Sequence, residues 1–148
     1  MKKCIRLIAG LILTVTILVC CSTAAFAQST TIKLNESGFA YAEMLIEKGQ
    51  FVLDKKNDWR DHHPTAQQAN NFIRTRGFPD YAKWHLGIDA AHGQNTKARY
   101  KFPFGDFKAL HRCGLLAVKA RAHEYGYADI EAAADQLLRE IEIKVPTR

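Results

Sequence analysis

Asp58-Trp59-Arg60-Asp61-His62-His63 puts two carboxylates and two imidazoles within six positions. These are side-chain types that hold zinc-like ions. A metal needs three or four such groups to converge, and adjacent His62 and His63 point in different directions on most backbones. Pro64 disfavours helical geometry in the residue before it, so Asp58, Asp61 and His62 are not expected to align. Neither H-x-x-x-H nor H-E-x-x-H spacing occurs in the chain. The segment therefore reads as a solvated loop. His62, His63 and Asp61 are the metal candidates it offers, and no metal or other cofactor is expected.

Cys113 has His111 two residues before it, and a thiol needs a nearby base or cation to become a nucleophile. On a helix, residues i and i+2 are roughly 200° apart and do not face each other. A working pair would need another histidine, such as His85 or His62, to arrive from elsewhere in the fold. With Leu110, Gly114 and Ala117 as helical neighbours, Cys113 is expected to be a small buried core residue. His123, near the end of the same helix, suits an interaction with the helix dipole. No Gly-rich phosphate loop, G-x-S-x-G elbow or paired-carboxylate signature occurs. No catalytic residue is assigned.

The charge pattern points to binding instead. From Lys97 to Tyr125 the chain carries seven cations (Lys97, Arg99, Lys101, Lys108, Arg112, Lys119, Arg121) against Asp106 and Glu124, a local charge of +5. Tyr100, Phe102, Phe104 and Phe107 interleave with the first of them. Cations mixed with stacking rings are what single-stranded nucleic acid or another polyanion binds. If 97–101 is extended, Lys97, Arg99 and Lys101 share one side while Tyr100 and Phe102 face the core. Lys108 and Arg112, four apart on the following helix, would share a face. These five residues, Lys97, Arg99, Lys101, Lys108 and Arg112, are the expected anion-binding set.

The elements that must position these groups read as helices. Asn35 or Ser37 can cap a first helix that ends at Gly49, and Phe39, Ala42, Leu45 and Ile46 give it one apolar face. Phe51-Val52-Leu53 is a short apolar run, a brief strand or extended segment. Thr65-Ala66-Gln67-Gln68 fits a capping box for a second helix ending at Gly77. Pro79 suits the first turn of a short third helix carrying Tyr81, Trp84 and His85, which stops by Gly87. Residues 89–105 lack periodicity and read as one long irregular loop. Asp106 can cap a long helix to Tyr125, and Asp129 a last one. In that last helix Ile130, Ala133, Ala134, Leu137, Leu138 and Ile141 keep helical spacing until Pro146. The expected fold is all-α, a small bundle of four or five helices with one long irregular loop.

Lys2, Lys3 and Arg6 precede an uncharged run from Leu7 to Ala27 that closes on Ala25-Phe26-Ala27. A positive start, a short apolar stretch and small residues at an A-x-A site form a secretory signal peptide. Gly10, Thr14, Thr16, Ser22 and Thr23 dilute the run, which argues against a permanent membrane anchor. Residues 1–27 are read as the leader, 28–34 as a flexible lead-in and 35–145 as a single helical domain, periplasmic or secreted. Three of the 21 Lys and Arg residues and none of the 15 Asp and Glu lie in the leader, so the processed chain carries +3 rather than +6. Cys4, Cys20 and Cys21 leave with it, and Cys113 has no internal disulfide partner.

Lys101-Phe102-Pro103-Phe104-Gly105-Asp106-Phe107, His111-Arg112-Cys113-Gly114, Arg121-Ala122 and Tyr81 to Gly87 together resemble a family of small uncharacterised prokaryotic proteins. Similar segments are also found in phage-derived polypeptides. The resemblance spans about Asn35 to Leu138 and implies no activity, cofactor or site residue. The expected function is thus an exported, non-catalytic binding module with a basic, anion-attracting face, whose partner is a polyanion or another protein, with no membrane contact after cleavage. The alternative is a small periplasmic or secreted hydrolase using His62, His63 or His85 with a carboxylate, metal-dependent or not.

Overall fold

The structure, a computed structural model, describes residues 32–145; the leader, residues 28–31 and Pro146 lie outside the described residues. In chain order the elements are β1 (Ile32–Leu34), α1 (Glu36–Glu47), β2 (Phe51–Val52), α2 (Trp59–His62) and α3 (Ala66–Ala82). Then follow β3 (His85–Asp89), a 3-10 turn (Lys97–Arg99), β4 (Tyr100–Pro103), β5 (Leu110–His111), α4 (Arg112–Tyr125) and α5 (Ala128–Lys144). The fold is mixed α/β, which overturns the all-α expectation. An antiparallel sheet orders β1-β3-β4, and a parallel pair joins β2 to β5.

The physical reason lies in β3. Tyr81, Trp84 and His85 sit at helical spacing, but the helix stops at Ala82 and His85 opens the central strand. β3 is paired on both edges and all but Ile88 of it is buried. A strand buried on both faces shows no apolar-polar alternation to betray it. Its flanking strand β1 comes from the expected lead-in, with Ile32 opposite Asp89 and Leu34 opposite Gly87. β4 comes from the expected irregular loop, with Lys101 opposite Gly87.

Where local signals are strong, the helices follow them. Thr65 and Gln68 form the reciprocal capping box. Gly77 breaks α3 with φ +81°, so that Phe78 to Ala82 is a separate short helical piece. The six apolar positions of α5 are all buried. α5 packs on α4, on α1 and on the sheet, with Leu45, Leu86, Phe104, Leu115, Ile130 and Leu137 at the centre of the core. Asn35 is 1% exposed, and its side-chain amide donates to the carbonyls of Ala82 and His85, both at 2.8 Å. This ties the start of α1 to the start of β3.

α4 begins at Arg112, six residues later than its expected cap. Asp106 instead closes the turn before β5, its Oδ1 accepting from the backbone N–H groups of Lys108 and Ala109 at 2.9 and 2.8 Å.

Candidate functional site

The β2/β5 register decides which groups meet. Phe51 lies opposite Leu110 and Val52 opposite His111. Carried forward two residues, the same parallel offset sets Asp54 against Cys113. The Cys113 N–H donates to Asp54 Oδ1 at 2.6 Å, and His111 Nδ1 lies 2.6 Å from Asp54 Oδ2. Asp58 holds the intervening turn by accepting from the Lys55 N–H at 2.9 Å. The single turn α2 then returns His62 to the same place, with its Nδ1 2.8 Å from Asp54 Oδ2 and 3.7 Å from Cys113 Sγ. Among the described residues, Asp54, His62, His111 and Cys113 offer ligand-type atoms that all lie within 4.8 Å of one another.

An ionised carboxylate only accepts hydrogen bonds, so both imidazoles carry their proton on Nδ1 here. Burial alone would raise the pKa of Asp54. The donors on Cys113, His111 and His62 outweigh it and hold the carboxyl at about 2. Burial, followed by the adjacent Asp54 carboxylate, pushes the Cys113 thiol up to about 12. Cys113 is fully buried, as expected. His111 Nε2 is a buried atom with no hydrogen-bond partner among the described residues, and it faces Asp106 Oδ1 at 3.7 Å.

These distances disfavour a nucleophilic triad. A relay needs the base to contact the thiol through one ring nitrogen and the orienting carboxylate through the other. In His62 both contacts fall on Nδ1. The thiol, pushed up to about 12 by burial and the Asp54 carboxylate, is also protonated at neutral pH.

Of the expected metal candidates, the cluster takes His62 but not His63 or Asp61. His63 packs edge-on against Trp59, and Asp61 is exposed. His85 is buried elsewhere, its Nδ1–H donating to the Tyr81 carbonyl at 2.9 Å. His92 pairs with Asp89 and His123 with Glu131. Sequence reasoning passed over Asp54 and set His111 aside. The helical separation of His111 from Cys113 does not arise, because His111 ends a strand and Cys113 lies in the first turn of α4. The residue types were the one available signal.

Of the five expected anion-binding residues, Lys97, Lys101 and Arg112 line three different recesses. Lys97 to Arg99 form the 3-10 turn rather than extended chain. Lys97 Nζ donates to Asn70 Oδ1 at 2.8 Å and Arg99 to the His92 carbonyl at 2.7 Å. Lys108 is exposed ahead of α4. Arg112 lines a recess of about 540 Å³ with Leu53, Asp54 and Glu142.

Lys101, from β4, reaches a larger groove of about 610 Å³ beside α4. Trp59, Phe102, Tyr125 and Tyr127 wall it together with Arg121, and no carboxylate lines it among the described residues. The Arg121 guanidinium lies 5.2 Å over the Tyr125 ring, and Tyr125 stacks on Tyr127 at 6.3 Å. Phe102 adopts φ +61°, a left-handed conformation costly for a bulky residue. Gly87 makes room for it, since a Cβ there would lie 2.7 Å from the Phe102 ring.

Comparison with known protein families, curated proteins and solved structures found no match.

Proposed function

We propose that this chain is an exported, non-catalytic binding module whose groove along α4 takes an anionic polymer bearing flat rings, with single-stranded nucleic acid as the type ligand. The observation that carries this reading is the groove itself. Two cations, Lys101 and Arg121, stand among four aromatic residues with no lining acid among the described residues. Its volume falls in the range of small-ligand clefts. Rings give sequence-tolerant stacking of about 1–3 kcal/mol per base, and cations track the phosphates. The strained Phe102 supports the same reading, because backbone strain persists where surrounding structure enforces it and often where a ligand is held. The leader pattern of residues 1–27 supports export.

Titration of a labelled single-stranded oligonucleotide and of heparin, each at low and moderate salt, tests the proposal. Wild type should bind both at low salt, with affinity falling as salt rises. Changing Lys101→Ala and Arg121→Ala together should reduce the salt slope by about 1 to 1.5. The pair Lys97→Ala and Arg99→Ala should change it less. Tyr125→Ala should weaken the oligonucleotide roughly 5- to 100-fold while leaving heparin nearly unchanged. Equal affinity in wild type and the Lys101/Arg121 variant, or no binding at low salt, would overturn the proposal.

A further inference from the structure

Asp54, His62, His111 and Cys113 supply one carboxylate, two imidazoles and one thiol from three separate segments. This mixed donor set suits zinc and its borderline neighbours. Tetrahedral coordination with bonds of about 2.0–2.3 Å puts ligand atoms roughly 3.3–3.8 Å apart. The cluster already spans 2.6 to 4.8 Å, so adjustments of about 1 Å or less would centre all four on one ion. Both Nδ1 atoms aim at a single carboxylate oxygen. They converge on one point, as ligands do, rather than forming a chain.

A second observation comes from the far side of the His111 ring. With a proton on Nδ1, Nε2 is left buried without a hydrogen-bond partner among the described residues, 3.7 Å from Asp106 Oδ1. A cation on Nδ1 moves the ring proton to Nε2, which then points at that carboxylate. Metal-bound histidines commonly donate their other N–H to a carboxylate in this way. Asp106 is already fixed by its two backbone donors.

We propose that Asp54, His62, His111 and Cys113 bind one zinc-like divalent cation as a closed four-ligand site, with Asp106 positioning the His111 ring. Binding releases the Cys113 thiol proton to solvent and shifts each imidazole proton from Nδ1 to Nε2; nothing is oxidised or reduced. The carboxylate and thiolate together cancel the ion's charge, which makes a buried site affordable beside Arg112. The recess lined by Asp54 and Arg112 is the access route. All four positions being protein atoms, the ion fastens the 54–62 loop to the start of α4 and leaves no open position for a catalytic water. The inference does not rest on the groove, and either reading stands or falls without the other.

The test uses the full chain with Cys4→Ser, Cys20→Ser and Cys21→Ser, so that Cys113 is the sole thiol. Titration with Co²⁺ should saturate at one equivalent. It should produce a thiolate-to-cobalt charge-transfer band and the intense visible bands of tetrahedral cobalt, both abolished by Zn²⁺. Cys113→Ser, nearly the same size, should remove the charge-transfer band and the zinc-dependent rise in Tm. Asp106→Asn keeps an acceptor for the two backbone donors; it should retain the cobalt spectrum while weakening affinity about 10- to 100-fold. His123→Ala, at an exposed histidine paired with Glu131, should leave both readouts unchanged. Absence of the charge-transfer band in the parent, or its persistence in Cys113→Ser, would overturn the proposal. So would an equal zinc-dependent rise in Tm in Cys113→Ser.

Discussion

His85 shows how much one buried side chain can couple this fold to pH. It is 3% exposed and sits against the Tyr81 and Tyr100 rings, with His63 and Lys97 lining the same recess. Burial, and secondarily the nearby His63, lowers its pKa from 6.5 to about 4, against an opposing hydrogen bond to the Tyr81 carbonyl. Between those values the unfolded chain binds a proton that the folded chain does not. The His85 contribution to stability is therefore complete above pH 6.5, falls as pH drops from 6.5 towards 4, and is flat below. The loss should reach up to about 3 kcal/mol. In His85→Asn, which keeps a donor for the Tyr81 carbonyl, urea unfolding at pH 7 and pH 4.5 should show a smaller difference than in wild type. Parallel pH profiles for the two proteins would assign the acid sensitivity to other groups.

At the scale of elements, α1 lies close against β3 at Gly38. A Cβ on Gly38 would fall well inside van der Waals distance of the His85 carbonyl oxygen and within 2.9 Å of the Asn35 amide nitrogen. The obstructing atom is backbone of the central strand, which cannot swing aside. Gly38→Ala raises helix propensity by about 1 kcal/mol, yet it should destabilise the domain by a net 1–3 kcal/mol through overpacking. Chemical denaturation of the pair measures this, and a stabilised variant would mean that α1 can lift from the sheet at little cost. Glycine in this helix is thus a packing requirement. Without knowledge of β3, the same residue reads as a weak point in a helix. The capping box of α3 is the opposite case, since Thr65 and Gln68 are three apart and satisfy each other's backbone locally.

At the scale of the whole molecule, α4 links the two sites. Its first turn carries Cys113, and its later turns carry Arg121 and Tyr125 of the groove. Of the other cations in the stretch, Lys119 is paired with Asp135 on α5 and Lys97 with Asn70 on α3. Without residues 1–27 the net charge would be +3, so in the proposed binding the groove's local composition, rather than a global field, would select the ligand. No helix of the described residues is long and apolar enough to cross a membrane. Processing at Ala27 is tested by intact mass and N-terminal sequencing of the exported protein. The chain should begin at Gln28, and a mass matching all 148 residues would favour an uncleaved anchor.

The sequence by itself determined what depends on near neighbours. The apolar stripe of α5, the capping box of α3 and the break at Gly77 are all legible from residues a few positions apart. Each is satisfied within one helix or by a single apolar face. Tertiary structure alone decided the strand identity of β3, whose hydrogen-bond partners lie in segments before and after it in the chain. It also decided the β2/β5 register, with Phe51 opposite Leu110. That pairing gathers Asp54, His62, His111 and Cys113 from positions up to 59 apart. Local periodicity carries no information about such a pairing, because strand register is set by which distant edges find each other and bury their faces together.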